Sequence, residues 1–78
     1  MSQRRLPVLS GKAVVKALAR AGFESKRVRG SHHVMARSGD EPRIVSIPVH
    51  GSRPLPKGTL AAIVEESGLS DEEFIALL

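Results

Sequence analysis

The sequence predicts a small α+β domain of order αβββα: a three-stranded antiparallel sheet, both main helices on one face, and a short extra C-terminal helix. Three observations carry this expectation. Apolar residues recur at helical spacing near both ends of the chain. Between them lie three short runs joined by brief turn signals, the last of them rich in β-branched residues. Glycine, serine or proline stands at nearly every boundary.

Residues 1–9 read as an extended lead-in to a single domain over residues 10–78, because Pro7 disfavours helix at Leu6. Ser10 is a good N-cap, and Val14, Val15, Leu18 and Ala21 set a helix over residues 11–21, with Gly22 as its stop. Lys12, Lys16 and Arg20 stand four residues apart and form a basic stripe away from the Val14/Leu18 face. Residues 23–29 alternate as a strand would. Gly30-Ser31 makes a tight turn into a second strand over residues 32–37. Ser38-Gly39-Asp40-Glu41-Pro42 is a hairpin signal leading to a third strand over residues 43–48, where Ile44, Val45 and Ile47 are β-branched. Short sequential strands joined by short turns favour a meander, which buries one sheet face under the helices and leaves the other open. After a loop over residues 50–56, a second helix starts near Pro56 or Lys57, carries Leu60, Ile63 and Val64, and ends at Gly68. Ser70-Asp71-Glu72-Glu73 fits a capping box for a last helix over residues 71–77, with Phe74, Leu77 and Leu78 as its apolar contacts.

The composition narrows the class. With 78 residues, 41% hydrophobic and 26% charged, the chain suits one globular domain whose small core is marginal. There is no cysteine, so neither disulfides nor thiolate zinc sites can staple it. No apolar run approaches the roughly 20 residues of a transmembrane helix, and Met1–Arg5 is followed by no apolar signal region, so the expected location is the cytoplasm. The net charge of +4 is unevenly spread: residues 1–53 carry +8 and residues 54–78 carry −4. A basic body of this kind suits a polyanion such as RNA.

Gly30-Ser31-His32-His33 is the most informative stretch. Histidine is the side chain whose intrinsic titration falls near neutral pH. An imidazole there could take a proton from a ribose 2′-OH or give one to a leaving 5′ oxygen. Lys26, Arg27 and Arg29 before it and Arg37 after it could hold phosphates and stabilise charge on the phosphorane. Alternation groups His32 with Val34 and Ala36, and His33 with Met35 and Arg37. If Val34 faces the helices, His33 points to the open face; periodicity alone does not choose between the two. A zinc site from His32, His33 and His50 is disfavoured, since adjacent strand residues point to opposite faces. His50 reads as a cap for the loop after the third strand, with a second titrating group beside the active histidine as the alternative. Met35 and Ile44, if exposed on the open sheet face, would instead suit a protein-interaction adaptor.

The chain resembles a known family in the order and spacing of several motifs. These are Ala21-Gly22-Phe23 after the first helix, Arg29-Gly30-Ser31-His32-His33, Ile47-Pro48-Val49-His50, Lys57-Gly58-Thr59-Leu60-Ala61-Ala62-Ile63, and Ser67-Gly68-Leu69-Ser70. Together they look like the HicA (YcfA-like) toxins of type II toxin–antitoxin systems, from Ser10 onward. The resemblance implies a fold like the double-stranded RNA-binding domain and an endoribonuclease that cleaves mRNA without a metal or other cofactor. It further implies a HicB-type antitoxin that blocks the site. It maps the catalytic histidine to His32, with His33 as the fallback for that role and otherwise a neighbour contacting RNA. Glu65 and Glu66, and the proline-rich residues 51–56, depart from the basic character expected there. RNA contacts are therefore expected from Lys12, Lys16, Arg20 and the first-strand cations instead.

Overall fold

A computed structural model describes residues 6–78; the charged start at Met1–Arg5, read above as part of the lead-in, lies outside the described residues. The order is α1 (Gly11–Arg20), β1 (Glu24–Arg29), β2 (His32–Arg37), β3 (Arg43–Pro48), α2 (Lys57–Ser67) and α3 (Asp71–Ile75). The strands form one antiparallel sheet in the order β1-β2-β3. This is the predicted α+β architecture. No described helix is long and apolar enough to cross a membrane.

Local chemistry explains the boundaries. The Ser10 hydroxyl accepts from the Ala13 N–H at 3.2 Å and starts α1. At its other end the Gly22 N–H donates to the Ala19 carbonyl and the Phe23 N–H to the Leu18 carbonyl, a Schellman closure that swings Phe23 into the core. Ser70 and Glu73 form the expected capping box at α3. That helix stops at Ile75 rather than residue 77, because its end tightens: Leu77 and Leu78 donate three residues back, to the Phe74 and Ile75 carbonyls.

Register decides the sheet faces. Met35 lies opposite Val45, and His33 opposite Ile47. Directly paired residues share a face, and Met35, Val45 and Ile47 are buried with Val14, Leu18, Leu60, Ile63, Val64 and Phe74. The side toward the helices therefore carries His33, Met35 and Arg37. The open side carries His32, Val34 and Ala36. This corrects two expectations. Val34 does not face the helices, so His33 is not on the open face. Met35, at 1% exposure, is core, while Ile44 stays 72% exposed. The helices pack chiefly against β3, and every residue of β1 is exposed, Val28 on the helix side included.

Gly11 joins the layers. A Cβ there would overlap the Pro48 carbonyl oxygen, so α1 can begin directly on the end of β3 only because this residue has no side chain. The lead-in is tied to the same corner, where the Leu55 N–H donates to the Leu9 carbonyl at 2.7 Å.

Candidate active site at the β1–β2 turn

Gly30 and Ser31 form a two-residue hairpin loop closed by the pair Arg29 and His32. Gly30 has φ of +59°, and no residue other than glycine has positive φ among those described. A glycine at the first of two loop positions is the demand of a type II′ turn. The space around a Cβ at Gly30 is open, so the requirement is conformational, not steric. The turn is held from the side as well. The Val49 N–H donates to the Ser31 carbonyl at 2.6 Å, extending the β2–β3 ladder one step past Pro48. Pro48 is tolerated because it faces His32 as a non-hydrogen-bonded pair on an edge strand, where its missing N–H would point outward.

His32 is thus the first residue of β2, exposed on the open face. Arg29 pairs with it directly and Arg27 pairs with Val34, so both guanidinium side chains belong to the same face. His33 is half-buried on the helix side. The two neighbouring imidazoles therefore do not converge on one ion.

The remaining predicted residues are dispersed. Lys26 is the extra residue of a β-bulge between Ser25 and Arg27, and its ammonium pairs with Glu24 at 3.0 Å. Arg37 lies at the other end of β2, roughly 17 Å along the strand at about 3.4 Å per residue, and on the helix side. Its guanidinium sits 5.2 Å from the Phe23 ring centroid. Arg20 donates to the Leu77 carbonyl at 2.6 Å and holds the C-terminal turn. Lys12 and Lys16 are exposed on α1, in the helix layer and off the open face. Lys12 is the nearer, because Gly11 beside it abuts Pro48 and Val49.

One feature of this corner escaped sequence reading. A cleft of about 350 Å³ is lined by Pro48, His50, Arg53, Leu55 and Thr59 among others, immediately beyond the residue that pairs with His32. The loop is closed by the Arg53 N–H donating to the His50 carbonyl, not by the imidazole, so His50 is not the side-chain cap expected of it. The alternation of Ile47, Pro48, Val49 and His50 was the available signal. A second concavity, about 320 Å³, lies between residues 6–8 and the start of α2 and offers Lys57 as its one titratable group among the described residues.

An exposed imidazole beside two guanidinium groups, on an uncovered sheet face, can exchange protons with a bound molecule and neutralise phosphate. Comparison with known proteins places this corner in context. No curated protein matches the chain. A family model described as HicA toxin of bacterial toxin–antitoxin matches residues 11–69, from the first residue of α1 to just beyond α2, and takes in the whole Gly30–His33 turn. The match spans well over half of the chain, and the chain belongs to the HicA toxin family of bacterial toxin–antitoxin systems.

Proposed function

We propose that this toxin is a metal-independent endoribonuclease that cleaves mRNA in the cytoplasm, with His32 as a proton-transfer group, and that a HicB-type antitoxin neutralises it. The observation that carries the reading is the exposed His32 ring, set by the Gly30-Ser31 turn on the same open face as Arg27 and Arg29. In this scheme His32 removes the 2′-OH proton, the 2′ oxygen attacks the adjacent phosphorus, the guanidinium groups of Arg27 and Arg29 stabilise the charge that develops on the phosphorane, and the bond from phosphorus to the 5′ oxygen breaks as that oxygen takes up a proton. Every step is proton transfer or electrostatic stabilisation, so the scheme needs no metal. His33 is a positioning residue behind the site, and Lys12 and Lys16 are outlying phosphate contacts. Both phenylalanines are buried, so neither phenyl ring is offered to bases and sequence preference in the RNA should be weak.

The test compares RNA cleavage by the purified chain and by His32→Ala. The variant should lose on the order of 100- to 10,000-fold in rate with its melting temperature unchanged, since the ring is exposed. A wild-type chain that leaves RNA intact while binding it in a salt-sensitive way would replace the enzyme with an RNA-binding module. The antitoxin should act by covering the basic face with an acidic segment; a ternary complex of toxin, antitoxin and RNA would sink that occlusion.

A further inference from the structure

We infer that His50 is a second catalytic residue, the general acid that protonates the 5′ oxygen as the RNA strand breaks; this rests on the ribonuclease reading above. The argument is one of register. His32 lies opposite Pro48, and the Ser31–Val49 hydrogen bond carries the ladder one residue further. Ile47 is buried and Val49 packs against the core, so alternation puts Pro48 and His50 on the open side with His32. His50 is then the diagonal cross-strand neighbour of His32, at the level of Gly30. Such neighbours stand roughly 7–8 Å apart, close enough for long or aromatic side chains to act on one group between them.

Three further observations fit. The His50 ring is exposed, and no hydrogen bond engages it among the described residues. The loop that carries it turns sharply: Gly51 has φ of +59°, and the His50 carbonyl accepts from the Arg53 N–H at 3.1 Å. The adjoining cleft of about 350 Å³ has His50 and Arg53 on its wall. The ionisable groups on the surrounding elements are His32 of β2, Arg29 of β1, Lys12 at the start of α1, Arg53 in the same loop and Lys57 at the start of α2; the arginines and lysines make a cationic setting for a phosphodiester.

The step balances. The 2′-OH proton passes to His32, the bond from the 2′ oxygen to phosphorus forms, and the bond from phosphorus to the 5′ oxygen breaks. The proton on the protonated His50 ring passes to that oxygen. The products are a 2′,3′-cyclic phosphate and a 5′-hydroxyl.

The experiment uses the full chain and two RNA oligonucleotides, one natural and one with sulfur replacing the bridging 5′ oxygen at the cleavage site, a leaving group that needs no proton. His50→Ala and His50→Gln should cleave the natural RNA at least 100-fold more slowly than wild type yet approach the wild-type rate on the sulfur substrate. His32→Ala should fail on both. The wild-type rate on natural RNA should rise and then fall with pH, and the His50 variants should lose the falling limb. A His50→Ala enzyme as fast as wild type on natural RNA, or equally impaired on both substrates, overturns the assignment alone. A wild-type chain that cleaves neither substrate overturns the ribonuclease reading and this assignment with it.

Discussion

The two ends of the sheet use arginine in opposite ways. At the β2–β3 hairpin, Arg37 lies over Phe23, and Arg43 is set against Gly68 at the C-terminus of α2, with Glu41 at 3.8 Å. These cations are parts of the architecture: one lies over an aromatic ring of the core, the other lies beside the C-terminal glycine of α2, where a positive charge suits the helix dipole. At the β1–β2 turn, Arg27 and Arg29 stand on the open face with no ion pair or hydrogen bond among the described residues. The same residue type has protein neighbours where the helices reach it and no ion pair or hydrogen bond among the described residues where they do not. The face makes the difference: Arg37 and its cross-strand partner Arg43 belong to the side toward the helices, whereas Arg27 and Arg29 belong to the open side.

This contrast can be broken by exchanging its terms. Removing Arg27 and Arg29 together should lower RNA affinity more than tenfold at low salt. It should also flatten the salt dependence by about 0.7 per lost phosphate contact on a single strand, with no change in melting temperature; an unchanged slope would mean that these side chains do not meet phosphate. The matching change at the other end, Arg37→Ala, should destabilise the fold by about 0.5–1 kcal/mol and leave cleavage at its wild-type rate. A large loss of cleavage in folded Arg37→Ala would erase the distinction between the two ends.

The smallest effect sharpens the structural end. The Glu73 carboxylate is held below its ordinary pKa, first by the Ser70 backbone N–H and then by the Ser70 side chain, with desolvation opposing and Arg37 adding a smaller attraction. A lowered folded value means that this group supports the fold above the ordinary glutamate range and loses that support as the pH falls through the lowered value. Glu73→Gln should therefore show a shallower decline of stability on acidification than wild type, measured by denaturant titration between neutral and acid pH. Identical slopes would show that the capping carboxylate is not linked to folding.

How much of this was legible in the sequence follows from the range of each interaction. Ser10, Ser70 and Gly22 act on groups within a few residues, so the helix ends were readable from spacing alone. The turn at Gly30-Ser31 was readable for the same reason. The faces of β2 were not. Val34 and Met35 are both apolar, and alternation says which residues travel together without saying which set goes inward. That choice is made by pairing with Val45 and Ile47, ten or more residues away. The fates of Arg20 and Arg37 were hidden likewise, since their partners Leu77 and Phe23 are set by the closed fold. His50 needed the register of β3 before its side could be known.

The hydrogen bond from Val49 to Ser31 gives the molecule a built-in gauge. Because that one amide proton bridges the turn carrying His32 and the segment leading to His50, its exchange with deuterium reports the integrity of the whole corner, in a chain with neither tryptophan nor tyrosine to serve as an optical probe.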